Sequence, residues 1–316
     1  MPHDAGPRDL VLLDAATLYF RAFHALPSSI TAPDGTPVGA VRGFCDMVAV
    51  IVERLRPGQL VACWDDDWRP AWRTDLLPGY KAHRVSADGG EEVPAALPRQ
   101  VEVVVELLAA LGVPRVGAPG CEADDVAGVL ATRAAAAGTG VVVVSGDRDL
   151  FQLADDAAGV RVLYIGRGVR DAQVVDAAWL AAEHDLDAAR AGDAYADLAV
   201  LRGDPSDGLP GVPGIGAKTA ATLLRRFGDL AGLRAAAASG APGLSPGQRQ
   251  RLLDASDYLD VAPRVVRVLR EADLPPLPPP PAGGLASAVD VGAVAALASR
   301  WGVGSSVERL VAAMAL

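Results

Sequence analysis

The 316-residue chain has few cysteines, few aromatic residues and no long apolar run, and each shortage excludes a class of protein. Its three cysteines, Cys45, Cys63 and Cys121, are far apart and fit neither a disulfide framework nor a metal-binding spacing, so we expect free buried thiols in a reducing compartment. No apolar run reaches the roughly 18–20 residues that a membrane helix requires. The N-terminus has no basic segment before its first apolar run, so no signal peptide is predicted and a cytoplasmic location is expected.

Lysine is also scarce, because only Lys81 and Lys218 stand among the 29 basic residues, and the formal net charge is −10. Proteins that bind nucleic-acid phosphates usually have a basic surface, so the negative net charge by itself argues against a nucleic-acid partner. Residues 68–84, however, contain four basic residues and one acidic residue, and residues 216–251 contain six and one. The sequence therefore predicts two basic surfaces, with local net charges of +3 and +5, in an acidic protein.

At roughly 150 residues per domain, the length suggests two domains. Short apolar runs typical of buried strands alternate with helical segments in the first half of the chain, which predicts an α/β fold with a mostly parallel sheet covered by helices. The expected strands are 10–13, 60–64, 141–144 and 160–163, and the expected helices are 38–55, 98–111 and 122–137. The pattern becomes mostly helical after about residue 176, with a proline-rich connector at 275–281 and a final helical segment at 291–314. We therefore predict an N-terminal α/β domain over 1–175 and a C-terminal helical region over 176–316.

Nine acidic residues lie where the predicted strands end or in the adjoining helix starts and loops. They are Asp14, Asp65, Glu122, Asp124, Asp125, Asp147, Asp149, Asp204 and Asp207. Ligands of parallel sheets bind beyond the carboxyl ends of the strands, so these side chains are expected to converge. Together they would repel one another without a counter-charge, which Mg²⁺ or Mn²⁺ would supply, and the lack of paired His or Cys argues against zinc. Two such ions stabilise the attacking and leaving oxygens of an in-line phosphoryl displacement.

Two other segments have features suited to phosphate. Lys81 and Arg84 are three residues apart and would share one face of a helix, where an ammonium and a guanidinium can contact a phosphate. The segment 211–220 places closely spaced glycines at the start of a predicted helix, which leaves backbone N–H groups exposed for a phosphate. This second pattern is similar to the helix-hairpin-helix class of sequence-independent DNA binders.

Several short motifs occur together in a fixed order along nearly the whole chain. They are Leu12-Leu13-Asp14, Tyr19-Phe20-Arg21-Ala22-Phe23-His24-Ala25, Pro78-Gly79-Tyr80-Lys81-Ala82-His83-Arg84, Gly120-Cys121-Glu122-Ala123-Asp124-Asp125, Ser145-Gly146-Asp147-Arg148-Asp149-Leu150 and Gly203-Asp204-Pro205-Ser206-Asp207-Gly208-Leu209-Pro210-Gly211. Their order and spacing resemble the flap endonuclease, or 5′-nuclease, family. The chain is most similar to the N-terminal 5′-nuclease domain of bacterial DNA polymerase I and to stand-alone 5′→3′ exonucleases.

The resemblance implies a PIN-like core, a helical arch at about 78–98 and a C-terminal helix-hairpin-helix, or helix-three-turn-helix, region. It also implies two metal groups, one formed by Asp14, Asp65, Glu122 and Asp124. The other group is formed by Asp125, Asp147, Asp149, Asp204 and Asp207. Lys81 and Arg84 would lie at the base of the arch and contact the reacting phosphate as catalytic residues.

The resemblance further implies which residues contact DNA. Phe20 would stack on a base near the cut, which is worth about 1–3 kcal/mol per base, and Arg21, Arg73 and Tyr80 would lie along the DNA path. The hairpin residues Gly214, Gly216, Lys218 and Thr219 would grip the duplex backbone, with a K⁺ ion bound through carbonyls there.

The function that follows from the resemblance is structure-specific 5′→3′ exonuclease or flap endonuclease activity at single-strand/double-strand junctions. Expected substrates are 5′-flap, nicked or gapped DNA and RNA–DNA primer ends, cut by a nucleoid-associated bacterial monomer that works beside a separate DNA polymerase and ligase. A non-catalytic junction-binding protein is one alternative, which the complete set of acids disfavours. A toxin-type ribonuclease is another, which the hairpin, Lys81 and the length of the chain disfavour.

Overall fold

The computed structural model describes residues 9–87 and 89–316. Its centre is a six-stranded sheet in the order β3-β2-β1-β4-β5-β6, in which every pairing is parallel except that of β5 with β6. The strands are β1 (Leu10–Asp14), β2 (Gln59–Cys63), β3 (Arg115–Val116), β4 (Val141–Ser145), β5 (Val160–Tyr164) and β6 (Gln173–Val175). The central strands β1 and β4 are buried along their whole length, and each begins with four apolar residues, as a sheet covered on both faces requires.

Thirteen α-helices cover this sheet or follow it in the described part of the chain. They are α1 (Ala15–Ala25), α2 (Gly39–Leu55), α3 (Ala71–Leu76), α4 (Leu97–Ala110), α5 (Ala123–Ala136), α6 (Ala177–His184), α7 (Ala191–Arg202), α8 (Ala217–Phe227), α9 (Leu230–Ser239), α10 (Pro246–Asp254), α11 (Ser256–Val266), α12 (Val291–Trp301) and α13 (Gly304–Met314). None of the helices in the described ranges is long and apolar enough to cross a membrane.

The sheet separates two hydrophobic cores, because alternate side chains of a strand point to opposite faces. Leu12 of β1 and Val143 of β4 belong to the core that α5, α7 and the helices up to α11 complete. Leu13 of β1 and Val144 of β4 belong to the other core, which α2, α4, α12 and α13 complete. The last two helices thus return to the first part of the chain and pack beside α2 and α4.

The predicted α/β fold with a mostly parallel sheet is confirmed, and the expected strands and helices agree with the structure to within about two residues at their ends. The expected final helix over 291–314 is in fact two helices, because Gly302 adopts a left-handed conformation (φ 63°) that ends α12. The division of the chain at residue 175 stays a prediction.

The helical arch predicted at about 78–98 is wrong for the described residues of that segment. Before α4 they form only a three-residue 3₁₀ turn, Ala82–Arg84, and an isolated bridge between Val85 and Glu91. Lys81 has a left-handed backbone (φ 47°), so it does not share a helical face with Arg84. Prolines and glycines account for the difference, since the segment contains two prolines and three glycines before α4, and they cost about 3 and 1 kcal/mol per residue inside a helix.

Candidate active site

Asp14 joins the carboxyl ends of the two central strands. It ends β1, is 3% exposed and caps α1, with Oδ1 accepting a hydrogen bond from the Thr17 N–H at 3.0 Å. Its Oδ2 accepts hydrogen bonds from the hydroxyls of Thr17 and of Ser145, the last residue of β4, both at 2.5 Å. A carboxylate that ends one strand is therefore held against the end of the next.

Asp65 lies two residues beyond β2 and is fastened to the start of α5. Its Oδ1 accepts a hydrogen bond from the Ala123 N–H at 2.7 Å. Burial raises the pKa of Asp65 to about 7, and the nearby carboxylates of Asp14 and Glu122 add to the rise. The Asp65 carboxylate is thus held among other acids, and the nearby Lys81 does not offset the effect of burial and repulsion on its pKa.

Glu122, at the N-cap of α5, has three side-chain partners. Its Oε1 is paired with the Lys81 ammonium, and its Oε2 accepts from Arg73 at 2.5 Å and from the Tyr80 hydroxyl at 2.7 Å. Burial raises its pKa although these cations lower it. Burial acts to lower the pKa of Lys81, but Glu122 and Asp207 outweigh it and raise that pKa above its usual value.

Asp125 has its oxygens occupied by protein groups. Both oxygens accept hydrogen bonds from Arg73 at 2.7 Å, and they also accept from the N–H groups of Glu122 (3.1 Å) and Leu269 (2.9 Å). Asp125 is fully buried and Arg73 is 2% exposed. The structure therefore gives both residues a place in an internal ion pair, which differs from the expectation that Asp125 ligates metal and Arg73 contacts DNA.

Asp124, Asp147 and Asp149 form an acidic group near the end of β4. Desolvation comes first among the causes that raise all three pKa values, and mutual repulsion with neighbouring carboxylates comes next for Asp124 and Asp149. The pKa of Asp149 rises to about 8. Asp147 accepts a hydrogen bond from the Asp149 N–H at 2.9 Å, which fixes the turn between them.

Asp204 and Asp207 belong to the loop between α7 and α8, and this loop contacts the 78–84 segment. Arg84 is paired with Asp207 at 2.7 Å, and the Lys81 N–H donates to the Asp207 carbonyl at 3.0 Å. The two backbones approach so closely at Gly208 (φ 74°) that a Cβ there would lie 2.2 Å from the carbonyl oxygen of Gly79. Both predicted catalytic cations are therefore in ion pairs with predicted metal ligands.

The acids other than Asp125 fit a site for hard divalent cations by their chemistry. Repulsion links Asp65 with Asp14 and Glu122, Asp124 with Asp147 and Asp14, and Asp149 with Asp207 and Asp204. Within residues 9–87 and 89–316, no three acidic, His or Cys side chains converge tightly enough to form a complete cation site as they stand. An oxygen-only, mutually repelling set is nevertheless the environment that Mg²⁺ or Mn²⁺ would stabilise.

The predicted DNA-contacting residues near the acids differ in how exposed they are and in what they contact. Phe20 is half-buried on α1 beside Tyr19, with ring centroids 5.1 Å apart. The Arg21 guanidinium donates to the carbonyls of Ile165 (2.6 Å) and Gly166 (2.5 Å). Tyr80 is 4% exposed. Phe20 is therefore open to a ligand, whereas Tyr80 is an internal support for Glu122.

The predicted hairpin runs from the loop after α7 into the first turn of α8, and its predicted residues reach the surface. Gly214 (φ 74°), Gly216 and Lys218 are exposed, Thr219 is half-buried, and Gly216 is the N-cap of α8. Sequence reasoning included Arg251 only as one of several charges, yet the structure brings it from α10 against the carbonyl of Gly214 at 3.4 Å. No spacing in the sequence could have indicated that contact.

A cavity of about 760 Å³ lies beside Asp147 and Asp149. Its walls include Arg21, which was predicted, and Arg148, Tyr164 and Arg202, which were not. Arg148 stands inside a recognised motif and could have been found from that position. The walls of this cavity therefore contain both arginines and carboxylates.

Comparisons with known proteins agree with this arrangement. Residues 9–185 match the family model of the 5′-3′ exonuclease N-terminal resolvase-like domain, and residues 191–278 match that of the 5′-3′ exonuclease C-terminal SAM fold. The chain is 53% identical over 310 residues to a 5′-3′ exonuclease of Streptomyces coelicolor, covering 95% of this chain and 98% of that one. It is 39% identical over 225 residues to DNA polymerase I of Mycobacterium leprae, covering 71% of this chain and 23% of the polymerase.

Among solved structures, the bacteriophage T5 D15 flap endonuclease in a pseudo-enzyme–product complex with DNA and metal ions has the same fold. It matches with a TM-score of 0.61 and 16% identity, over 98% of this chain and 100% of that one. The acid-lined sheet edge, the helical region after it and the two matched domain models lead to one conclusion: the chain belongs to the 5′-3′ exonuclease family.

Proposed function

We propose that this nuclease hydrolyses DNA phosphodiester bonds near single-strand/double-strand junctions, as a 5′→3′ exonuclease and flap endonuclease, with two divalent cations. The observation that carries the proposal is the gathering of eight acids from separate elements at one edge of the sheet, where the pKa values of Asp65, Asp124, Asp147 and Asp149 are raised. A purely binding protein has no need to hold that much negative charge beside phosphates. The DNA and metal ions in the T5 flap endonuclease structure support the same interpretation.

The residues that would hold the cations are Asp14, Asp65, Glu122, Asp124, Asp147, Asp149, Asp204 and Asp207. When bound, Mg²⁺ or Mn²⁺ supplies charge stabilisation to the phosphate and acidifies water at neutral pH. Asp125 is left out of this set because Arg73 occupies both of its oxygens. Arg73 and Tyr80 also hold Glu122 in place, through their hydrogen bonds to its Oε2.

Lys81 and Arg84 are the cations that would meet the reacting phosphate. Both are paired with acids in this structure, Lys81 with Glu122 and Arg84 with Asp207. A phosphate entering beside these acids offers each cation an alternative anion at short range, so little movement of the backbone is required. Phe20 would stack on the base next to the cut, and Arg21 would support the loop that forms the cavity wall.

The hairpin would bind the duplex part of the substrate. Gly214, Gly216, Lys218 and Thr219 present backbone N–H groups and a cation at the N-terminus of α8, which suits a phosphate. Arg251 adds a guanidinium at the same place. We further propose that a K⁺ ion binds at the hairpin carbonyls and that the enzyme binds its substrate as a monomer.

The proposed cellular task is trimming of flaps and removal of RNA primers in replication and repair, with the gap filled and sealed by a separate polymerase and ligase.

The test is Mg²⁺-dependent cleavage of a labelled 5′-flap DNA by the wild type and by the Asp147→Ala/Asp149→Ala variant. We expect the variant to lose at least 100-fold in rate, because it removes two carboxylates from the cation site and charge stabilisation of this kind is worth about 10²–10³ in rate. Binding of the flap without metal should survive. Equal cleavage by both proteins would reject the catalytic proposal, and faster cleavage of unstructured RNA than of flap DNA would favour a ribonuclease.

A further inference from the structure

A second cavity, of about 440 Å³, adjoins the candidate active site. Arg148 and Tyr164 line both this cavity and the larger one beside Asp147 and Asp149, so the two spaces meet at these side chains. Its volume lies within the range of roughly 300–1,000 Å³ that is typical of small-molecule sites. A strand that fills the larger cavity could therefore place one further nucleotide in the smaller one.

The walls of this second cavity are unusually aromatic for a chain with only five each of Trp, Tyr and Phe. Phe151 contacts Tyr164 and Trp179 edge to face, with centroids 5.1 and 6.0 Å apart, and Trp179 contacts His184 in the same way at 6.3 Å. Phe151 is buried, whereas Tyr164 and Trp179 are half-buried. The interlocked rings form a rigid wall, and two of them keep part of their surface open.

Two arginines stand at the same cavity. Arg148 lies 5.8 Å from the centre of the Tyr164 ring, and its Nε donates to the Tyr164 hydroxyl at 3.3 Å. Arg167 is exposed and has no ion-pair partner among the described residues. The cavity also has two carboxylates, Asp171 and Glu183, which can accept hydrogen bonds.

A buried hydroxyl nearby lacks a hydrogen-bond partner. Tyr195 is 1% exposed, contacts Phe151 and His184, and its oxygen has no partner among the described residues. Burial raises the pKa of Tyr195 and Asp149 adds to the rise, whereas Arg202, which lines the larger cavity, lowers it, so the hydroxyl lies close to the candidate active site.

We propose that this cavity, formed by Phe151, Tyr164, Trp179 and His184 with Arg148 and Arg167, is a binding pocket for one unpaired nucleotide of the substrate strand. The base would stack on the aromatic wall, and the arginines would hold its phosphate. Asp171 and Glu183 accept hydrogen bonds, so the pocket should favour bases with an exocyclic amino group over thymine. The inference rests on the proposed function, because it places this nucleotide beside the nuclease site.

The test uses the full chain in EDTA, so that binding is observed without cleavage. Flap DNA carries the fluorescent base 2-aminopurine at each successive unpaired position in turn. We expect one position to be quenched by the wild type and by Trp179→Phe but not by Trp179→Leu, which keeps apolar volume without a stacking face.

We expect Arg167→Ala to weaken binding of the flap about five- to tenfold, since stacking and its cationic support contribute on that order. Arg170→Ala is the matched control, because Arg170 is exposed on the same loop and does not line the cavity.

The outcomes separate this pocket from the nuclease function. If the wild type cleaves the flap with Mg²⁺ but no position shows quenching that depends on Trp179, the pocket is rejected and the proposed function stands. Equal weakening by Arg167→Ala and Arg170→Ala would also reject it, because a diffuse charge effect would then explain the loss. If the wild type neither binds nor cleaves the flap, both proposals are overturned.

Discussion

At the scale of single residues, the main distinction among the acids is how many protein donors occupy their oxygens, and Asp125 accepts the most hydrogen bonds. Asp125 and Glu122 are adjacent in space and both contact Arg73, but Asp125 is enclosed by donors on every side, whereas the other acids repel one another. Nothing in the sequence separates them, because the motif from Gly120 to Asp125 contains three acids with equal claim to a metal. Only the position of Arg73 decides which one becomes structural.

Arg73→Met should destabilise the protein strongly. The substitution leaves the buried carboxylates of Asp125 and Glu122 with less compensating charge, and breaking a buried ion pair typically costs about 3–5 kcal/mol. Urea unfolding measures the change in the free energy of unfolding. Arg115→Met is the matched control, since its pair with Asp66 is about one-third exposed and such pairs contribute about 1 kcal/mol or less. Similar losses for the two variants would contradict the structural role of Arg73.

The metal-free protein should lose stability as the pH rises from about 4 to about 8. The folded state raises the pKa of Asp65 to about 7 and of Asp149 to about 8, so between their ordinary values and these values it binds protons that the unfolded chain has released. Thermal unfolding in EDTA at pH 5 and pH 8 checks the sign. Asp149→Asn should flatten the slope, whereas Asp273→Asn, at an exposed position, should leave it unchanged. A wild type that is more stable at pH 8 would be the contrary result.

At the scale of elements, the short segment before α4 and the loop before α8 form one unit. The Arg84–Asp207 pair, the hydrogen bond from the Lys81 N–H and the contact between Gly79 and Gly208 join them. The sequence predicted phosphate-binding cations in the first segment and metal ligands in the second, but not that the two would touch. The contact places the cations over the acids without a helical arch.

Gly208→Ala should disturb this unit and lower cleavage. Its added Cβ would meet the Gly79 carbonyl at 2.2 Å, so the segment containing Lys81 must shift, in addition to the cost of a left-handed alanine. Gly35→Ala is the control, because Gly35 is also left-handed (φ 88°) but has nothing within 4 Å of the added methyl. We expect both variants to lose about 1–2 kcal/mol of stability from the backbone, and only Gly208→Ala to lose tenfold or more in the cleavage rate. Equal rates would show that the contact has no role in positioning Lys81.

At the scale of the whole molecule, the C-terminal helices close the second hydrophobic core. Trp301, Leu310 and Met314 are 2%, 1% and 6% exposed, and they pack in the same core as α2 and α4. The C-terminal segment therefore does more than extend the helical region after the sheet, since the sheet edge that holds the acids is supported by helices from both ends of the chain.

Leu310→Ala should lower the free energy of unfolding by about 2–5 kcal/mol, the usual cost of removing a fully buried leucine side chain. Leu316→Ala, at 68% exposure, should change it by less than about 0.5 kcal/mol. Chemical denaturation of both variants measures the difference. A small effect of Leu310→Ala would mean that α13 is not part of the cooperative core.

The sequence by itself determined the alternation of strands and helices, the places of the acids at strand ends and the family to which the chain belongs. These depend on local periodicity, on turn residues and on motif order, all of which are written in the chain. The net charge of −10 was misleading by itself, because nine of the negative charges come from the acids named for the site. Only the tertiary structure decided that Asp125 pairs with Arg73, that Lys81 and Arg84 contact acids, and that an aromatic cavity opens beside Arg148. Those contacts join residues far apart along the chain, and their energies depend on burial and on neighbouring charges that appear only after folding.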